Sequence, residues 1–478
     1  MRGRVPRCYA APVLRQHRIH FVGIGGIGMS GIAEVLLDLG FEVSGSDLAR
    51  SELTARLETL GARISYGHDG ANLPEDAEAV VLSSAVRFSN PEVARARDLG
   101  IPILPRAEML AELMRMKTGL AGAGTHGKTT TSSMLAAILH AAGHDATAVI
   151  GGRVHSLGSN AHRGAGELLV AEADESDGTF LLLTPTIAVI TNIDPEHLDH
   201  WGSLEASIDG YVEFANRVPF YGAAILGIDN SRVRGILPRL RKRHVTFGLT
   251  SDAQVAARDV MVEGFETRFD LVIDGAPVGR VTIGMPGRHV AQNALAAIAA
   301  AREIGVEPAV AIRALAAFGG IHRRFEVRGE VAGVLVIDDY GHHPEEVRAT
   351  LRAAREGLGR RIVAAFQPHR YTRTRDLFED FLGAFDDVDV LFLTDVYAAG
   401  EDPIEGADGE SLARALRARG HADVRFVGPR TALAEAIAAS AREGDLVLLL
   451  GAGDIIREGD RVLECLAAGA GAPLRVVR

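Results

Sequence analysis

A glycine-rich loop with one lysine and one threonine carries the clearest chemistry in this sequence. Residues 121–131 contain Gly122, Gly127, Lys128 and Thr129 at the spacing GxxxxGK[ST]. Glycines there let backbone N–H groups close around a polyphosphate, the lysine reaches its terminal phosphates, and the threonine hydroxyl can bind Mg²⁺. The loop therefore predicts a nucleoside triphosphate and Mg²⁺. Its predicted nucleotide contacts are Gly122, Gly124, Thr125, His126, Gly127, Lys128, Thr129 and Thr130.

The segments on either side of this loop predict the elements that position it. Residues 119–123 have the composition of a short buried strand, and residues 129–140 form an apolar run without glycine that ends before Gly143. A helix N-terminus directed at the loop adds partial positive charge to phosphate binding. The alternative is a glycine-rich turn that binds nothing, which leaves the lysine and the hydroxyl unexplained.

A second glycine turn lies near the start of the chain. Gly23, Gly25 and Gly28 match GxGxxG after a β-rich run, and Asp47 follows about 20 residues later, where nucleotide-binding βαβ units place a ribose-binding carboxylate. Turns of this kind bind dinucleotides or UDP-sugars, and some serve only for tight packing. All three interpretations stay open on this pattern alone.

Polar residues follow two predicted strands of the central region. Glu172 follows the strand at 167–171, and Asn192 and His197 follow the next one. Ligands of open α/β sheets bind beyond the carboxyl ends of strands, so these side chains should surround the phosphate loop. Mg²⁺ prefers oxygen ligands, which favours Thr129 and Glu172. His197 either binds a second ion, orients the terminal phosphate or is structural.

Arginines cluster in the last third of the chain. Arg370, Arg373 and Arg375 lie within six residues of one another, and guanidinium groups pair with carboxylates through two parallel hydrogen bonds. A solvated surface charge run is the alternative. Because Tyr340 and His342 follow another predicted strand of the same region, we favour a site for an amino-acid carboxylate. Hinge closure would then bring three ligand sites together.

Composition excludes several classes of function. The chain has 478 residues, 47% of them hydrophobic and 24% charged, which predicts a globular protein of about three domains. A net charge of −11 gives no support for nucleic-acid binding. Only two cysteines are present, and no apolar stretch reaches the ~18 residues of a membrane span. We expect a cytoplasmic enzyme, monomeric or homodimeric, without a membrane or nucleic-acid partner.

Alternating strand-like and helical segments predict an α/β fold of three domains. Residues 1–17 lack the apolar core of a secretory signal and are expected to be an extension. The predicted domains are N-terminal Rossmann-like at 18–116, central P-loop at 117–319 and C-terminal Rossmann-like at 320–478. Residues 252–284 have the pattern of β-hairpins, and 290–304 that of an Ala-rich helix. Strands of the third domain are predicted at 334–337, 362–366, 390–394 and 446–450.

From residue 18 onward the chain resembles the ATP-dependent Mur ligases of bacterial peptidoglycan synthesis. Seven ordered motifs carry the resemblance: HFVGIGGIGMSG at 20–31, GTHGKTT at 124–130, EADESD at 172–177, TNI at 191–193, RRF at 323–325, DDYGHHP at 338–344 and FQPHR at 366–370. The resemblance implies that ATP phosphorylates the carboxylate of UDP-N-acetylmuramate and that L-alanine attacks the acyl phosphate, releasing ADP and phosphate. The first glycine turn would then hold UDP and not NAD.

The resemblance also implies site residues, matched motif by motif. The implied catalytic residues are Lys128, Glu172, His197 and Arg324, with Thr129, Glu172 and His197 as metal ligands. Asn293 is implied to contact adenine, and Arg324 and Asp339 the phosphates and ribose. The implied UDP-sugar contacts are Gly23, Gly25, Gly26, Gly28, Met29, Ser30, Asp47 and Asn192. Tyr340, His342, Arg370 and Arg373 are implied to meet L-alanine or the muramyl carboxylate.

Two positions depart from the family pattern. The family usually carries His-Asn-x-x-Asn before the Ala-rich helix, whereas residues 289–293 are HVAQN, so Val290 replaces one amide beside adenine. The family often carries glutamine before Gly-Ala-Gly, where this chain has Leu450. Three alternative functions stay open: a related ligase that attaches a recycled tripeptide, an NAD-dependent dehydrogenase with an accessory ATPase domain, and a non-catalytic nucleotide sensor.

Overall fold

Three sheets of mostly parallel strands organise the chain. The computed structural model describes residues 17–83, 86–154, 159–162, 164 and 166–470. All but the last residue of the predicted extension at 1–17 lie outside these ranges, as do residues 471–478. The three-domain α/β prediction is confirmed.

The N-terminal sheet has five parallel strands in the order β3-β2-β1-β4-β5. Its strands are β1 Arg18–Val22, β2 Glu42–Asp47, β3 Arg63–Tyr66, β4 Ala79–Leu82 and β5 Ile103–Pro105, and its helices are α1 Ile27–Asp38, α2 Glu52–Thr59, α3 Pro91–Leu99 and α4 Arg106–Arg115. The central strand β4 is a continuous apolar run because both its faces are buried, and β1 is buried over its last four residues. The first glycine turn follows β1 directly, at the carboxyl edge of the sheet.

The middle sheet has ten strands in the order β15-β14-β13-β12-β11-β10-β6-β9-β7-β8. The strands are β6 Thr118–Ala123, β7 Thr147–Val154, β8 Ser159–His162, β9 Leu168–Glu172, β10 Ile187–Ile190, β11 Ala223–Gly227, β12 His244–Gly248, β13 Val255–Glu263, β14 Glu266–Ile273 and β15 Ala276–Ile283. The helices are α5 Lys128–Ala141, α6 Leu198–Trp201, α7 Leu204–Asn216, α8 Ser231–Ile236, α9 Arg288–Glu303 and α10 Pro308–Ala316. The hairpins expected at 252–284 are confirmed as the antiparallel strands β13 to β15 at one edge.

The C-terminal sheet has six strands in the order β16-β17-β21-β18-β19-β20, and only β16 is antiparallel to its neighbour. The strands are β16 Glu326–Val331, β17 Val334–Asp339, β18 Ile362–Phe366, β19 Val390–Thr394, β20 Val424–Gly428 and β21 Leu446–Leu450. The helices are α11 Pro344–Leu358, α12 Tyr371–Asp376, α13 Phe378–Leu382, α14 Gly409–Arg419, α15 Leu433–Ser440 and α16 Glu458–Ala470. The carboxyl ends of β17, β18 and β21 lie side by side.

The domains contact one another through apolar and backbone contacts. One buried apolar cluster joins residues of α1 and α4 to the middle sheet and to α7. On the other side, the Gly264 N–H in the turn between β13 and β14 donates a hydrogen bond of 2.9 Å to the Gly357 carbonyl of α11. The edges of the three sheets that carry functional residues are thereby brought together.

Candidate active site

The phosphate loop connects β6 to α5 in a conformation that requires glycine. Gly124 has a φ of +131°, and a Cβ there would lie 2.1 Å from the Thr191 hydroxyl oxygen. Gly127 has a φ of +81° and is the residue before α5. No side chain caps the first turn of α5, so its N–H groups remain available to an anion. The loop has the geometry of the predicted phosphate cradle.

Lys128 lies folded over this loop. Its Nζ donates to the Gly124 carbonyl at 2.6 Å and to both carboxylate oxygens of Glu175 at 2.8 and 2.9 Å. Burial alone would lower the pKa of Lys128, but the carboxylates of Glu175 and Asp174 outweigh it and raise the pKa. The ammonium is therefore charged at neutral pH and is held where the terminal phosphates of a nucleotide would lie.

The three predicted metal ligands fall into two groups. Thr129 hydrogen-bonds Glu172, whose carboxylate also accepts the Gly151 N–H at 2.9 Å, and burial raises the pKa of Glu172. His197 belongs instead to a cluster with Glu175 and Glu196, whose ligand atoms all lie within 4.8 Å of one another. Burial lowers the pKa of His197, which favours the neutral imidazole that can bind a metal ion. The oxygen-rich set suits Mg²⁺.

A central cavity of about 550 Å³ brings residues of all three domains together. The N-terminal domain contributes Gly28 and Arg106, the middle domain Lys128, Thr129, Glu172 and His197, and the C-terminal domain Arg324, Tyr340, His342, Arg370 and Arg373. The predicted phosphate, metal and amino-acid residues therefore face one space, as a reaction between three bound substrates requires.

A second cavity of about 320 Å³ adjoins the phosphate loop on its other side. The predicted nucleotide residues that line it are His126, Gly127, Thr130, Asn293, Arg324 and Asp339. Arg324 lines both cavities, which places it at their junction. Asp339 accepts the N–H groups of Phe325 and Gly341, each at 2.8 Å, so its carboxylate is fixed by backbone at the wall of this cavity.

The three clustered arginines have different surroundings in the structure. Arg373 is bonded to Glu196 of the middle domain, whereas the buried Nε of Arg370 has no hydrogen-bond partner among the described residues. Arg375 pairs with its neighbour Asp376 at 2.7 Å and stays exposed. Arg370 also has a φ of +69°, a strained value for a residue with a side chain. Two of the three arginines therefore reach the cavity.

Three residues assigned to the UDP-sugar site have side chains that make other contacts or are buried, and their assignment stays a prediction. Met29 and Ser30 are buried, and Met29 packs in the apolar cluster between the N-terminal and middle domains, so neither side chain is open to a ligand. Asn192 bonds the backbone N–H and carbonyl of His126 and lines the nucleotide cavity. It therefore shapes the phosphate loop. The motif could not show these positions because they depend on how the domains pack.

The remaining predicted residues of the first glycine turn lie around it. Gly23 and Gly26 form the turn itself, while the Gly25 N–H donates a hydrogen bond of 2.7 Å to the Asp47 carboxylate. Of this group, Gly28 faces the central cavity, close to the Arg106 guanidinium. Asp47 therefore braces the turn from the end of β2.

Three residues of the site were not among the predicted site residues. Arg106 lies 3.5 Å from Asp174 and lines the central cavity. Glu175 holds Lys128. The carboxylate oxygens of Glu346 lie 3.4 Å from a ring nitrogen of His126, 3.3 Å from one of His342 and 3.8 Å from the Arg324 guanidinium. Burial alone would raise the pKa of Glu346, but those three neighbours hold it well below its usual range. The only sequence signal was its place three residues after His343 at a helix start, typical of a capping box.

The two residues that depart from the family pattern, Leu450 and Val290, lie in different surroundings. Leu450 is fully buried and packs in the apolar core of the C-terminal sheet, where its carbonyl accepts the Gln367 N–H at 3.0 Å. Its side chain therefore contributes only packing. Val290 is also buried, but it lies in the first turn of α9 and lines the nucleotide cavity.

Family comparisons match the chain in three consecutive parts. Residues 18–118 match the Mur ligase family catalytic domain, 123–301 the Mur ligase middle domain, and 323–453 the Mur ligase glutamate ligase domain. The chain belongs to the Mur ligase family. Among the described residues of this Mur ligase, no helix is both long and apolar enough to cross a membrane.

Comparison with individual proteins shows which members of the family the chain is similar to. This Mur ligase is 58% identical to the UDP-N-acetylmuramate–L-alanine ligase of Anaeromyxobacter sp. strain Fw109-5, over 95% of this chain and 99% of the relative. The crystal structure of UDP-N-acetylmuramate-alanine ligase from Thermotoga maritima is 31% identical with a TM-score of 0.79, over 95% and 99% of the two chains. A murein peptide ligase from Psychrobacter arcticus is 25% identical with a TM-score of 0.69, over 94% and 98%.

Proposed function

We infer that this chain is an ATP-dependent ligase that joins L-alanine to UDP-N-acetylmuramate in peptidoglycan precursor synthesis. The carrying observation is the identity of 58% over nearly the full length of a ligase with that name. The central cavity supports it, because residues of three domains face one space there. The products are UDP-N-acetylmuramoyl-L-alanine, ADP and phosphate.

For the first half-reaction, we propose that the phosphate loop and Lys128 hold the ATP phosphates while the muramyl carboxylate attacks the terminal one. Charge neutralisation and positioning are the main requirements of phosphoryl transfer, and Lys128 and Arg324, which line the same cavity, supply positive charge. Thr129 and Glu172 would hold one Mg²⁺ and His197 a second, and these ions would neutralise phosphate charge when bound. Asn293 and Asp339 would contact the nucleoside.

For the second half-reaction, we propose that Arg370 and Arg373 bind the carboxylate of L-alanine, with Tyr340 beside them. Burial lowers the pKa of His342 to about 4, so its imidazole is neutral at physiological pH. Its Nδ1 lies 3.1 Å from the Tyr340 carbonyl and donates to it, which leaves Nε2 as an acceptor. That nitrogen would bind the ammonium group of L-alanine before the amine attacks the acyl phosphate.

Gly23, Gly25, Gly26 and Gly28 would hold the UDP portion, with Arg106 as an added positive charge. We propose domain boundaries at 18–116, 117–319 and 320–478, between the three sheets. The cytoplasm is the proposed location, because ATP is a substrate and the sequence contains only two cysteines. A monomer and a homodimer are both compatible with this proposal.

The test is phosphate release from ATP with UDP-N-acetylmuramate and a panel of acceptors. L-alanine should support turnover well above glycine, L-serine and the tripeptide, and Lys128→Met should lower kcat by at least about 10²-fold because a preorganised charge is lost. Turnover only with the tripeptide would establish the recycling ligase instead. ATP binding without turnover would favour the nucleotide sensor, and saturable NAD(H) binding without UDP-sugar binding would favour the dehydrogenase.

A further inference from the structure

Part of the wall of the nucleotide cavity is apolar. Phe247, Met285 and Val290 line it, and all three side chains are buried. Flat apolar walls suit the faces of a nucleobase, but they do not distinguish one base from another. Discrimination between bases needs a polar group that meets the edge of the ring.

Four side-chain amides line this cavity, and three of them have their carbonyl oxygens already occupied. Asn192 accepts the His126 N–H at 2.8 Å, and Asn230 accepts the N–H groups of Arg232 and Val233, each at 3.1 Å. Asn293 accepts the Thr131 hydroxyl at 3.4 Å. The fourth amide is Gln292, and its Oε1 has no hydrogen-bond donor in the part of the chain that the structure describes.

The orientation of the Gln292 amide is fixed by a neighbour. Its Nε2 donates to a carboxylate oxygen of Asp229 at 2.7 Å, and the same carboxylate accepts the Leu249 N–H at 2.9 and 3.0 Å. A carboxylate accepts and does not donate, so the NH₂ group of the amide must face Asp229. Oε1 is therefore held as an acceptor at the wall of the cavity.

We propose that Gln292 reads the 6-position of the purine base and makes this ligase selective for ATP. Oε1 would accept a hydrogen bond from the 6-amino group of adenine, whereas the 6-oxo group of hypoxanthine or guanine places a second acceptor against it. Val290 offers only apolar surface at the position where the family pattern has an amide. The amide that contacts the base edge would therefore be that of Gln292, two residues later in α9. The proposal rests on the proposed function and adds its nucleotide selectivity.

The test compares ATP with inosine triphosphate, which carries oxygen in place of the 6-amino group. Wild type should prefer ATP in kcat/KM for phosphate release, and Gln292→Leu should lose about tenfold of that preference, as expected for one good hydrogen bond and one avoided clash of acceptors. The double variant Val290→Asn, Gln292→Leu should regain part of it. Because the preference is a ratio measured within one protein, a loss of folded protein cancels.

Gln254→Leu provides the control, since this glutamine lies outside the cavity and its Oε1 accepts the Thr246 N–H. It should leave the ATP preference unchanged. An equal preference in wild type and Gln292→Leu would overturn the proposal. Dissociation constants for the two nucleotides are measured in parallel without the other substrates, so a failure of ligase activity and a failure of base selectivity give different results.

Discussion

Arg373 in the C-terminal domain donates two hydrogen bonds, of 2.8 and 3.0 Å, to one carboxylate oxygen of Glu196 in the middle domain. The two side chains are only 10% and 9% exposed. Burial alone would raise the pKa of Glu196, but Arg373 outweighs it and lowers the pKa, so the pair is ionised. This ion pair connects the domain that carries the phosphate loop to the domain that carries the proposed amino-acid site.

Glu196→Gln should therefore impair the joining of these domains. Removing one partner of a buried, hydrogen-bonded charge pair costs about 2–5 kcal/mol, and here the loss falls on the closed arrangement. We expect the KM for L-alanine to rise and kcat/KM to fall by at least about tenfold, measured by phosphate release. Glu356→Gln is the control, since that carboxylate pairs with Arg352 on the surface of α11. A change confined to the Mg²⁺ requirement would instead assign Glu196 to the metal site and contradict this prediction.

Thr129→Ala should increase the Mg²⁺ concentration needed for half-maximal phosphate release. The hydroxyl that would bind the ion is lost, and so is its hydrogen bond to Glu172. Mutation of a residue that only hydrogen-bonds a metal ligand already lowers metal affinity by about 10–100-fold. Loss of a ligand itself should therefore raise the half-maximal Mg²⁺ concentration by at least about tenfold. Thr129→Ser keeps the hydroxyl and should titrate like wild type. Equal Mg²⁺ curves for Thr129→Ala and wild type would exclude this role.

Buried parallel strands were the easiest part of the fold to predict. The strands predicted at 362–366, 390–394 and 446–450 have the same bounds in the structure, because a strand covered on both faces is a continuous apolar run. The edge strands β16 and β20 were missed. Both mix polar and apolar residues and are only partly buried, so their sequences lack that signal.

The phosphate loop was predictable from spacing because its chemistry is local. Glu346 was not, because its importance comes from His126 and His342, which reach it from different parts of the chain. Met29 shows the opposite situation: it lies within a predicted binding motif, yet the packing of α1 against the middle domain buries its side chain. Local sequence identified the chemistry of single loops, and domain packing decided which side chains share a cavity.

Glu92→Ala should destabilise the N-terminal domain. Glu92 is fully buried and lies 2.8 Å from His20 and 2.9 Å from His68. Removing this buried carboxylate leaves its hydrogen-bonding partners unsatisfied, which costs about 1–3 kcal/mol and should lower the midpoint of thermal unfolding. Because Ser46, which also bonds Glu92, accepts the Gly23 N–H, the KM for UDP-N-acetylmuramate should rise as well.

The pH dependence of the Glu92 effect follows from its pKa. Burial would raise that pKa, but hydrogen bonds from His20, Ser46 and His68 outweigh burial and lower it. The stabilisation by the carboxylate is therefore fully present above the ordinary glutamate pKa of about 4 and is lost as the pH falls through the lower folded value. Glu75→Gln, at an exposed pair with Arg95, is the control. A midpoint for Glu92→Ala equal to that of wild type at pH 7 would contradict the network.

Asp338→Asn should stabilise the protein at alkaline pH. Asp338 is buried in β17, its Oδ2 has no hydrogen-bond partner among the described residues, and burial raises its pKa to about 7 despite Arg323 and Arg328. Ionising this acid destabilises the folded state, so the penalty is absent below the ordinary aspartate pKa of about 4, grows as the pH rises from there to about 7, and stays constant at higher pH. The gain in Tm for Asp338→Asn should therefore increase between pH 5 and pH 8. The corresponding gain in the free energy of unfolding should approach about 1–3 kcal/mol, the range for one unsatisfied buried group. Asp270→Asn is the control. The Asp270 carboxylate lies at the surface and its pKa is lowered by a hydrogen bond from Arg280, so this variant should show no such increase. A Tm difference for Asp338→Asn that stays constant across this range would show that the carboxylate does not titrate there.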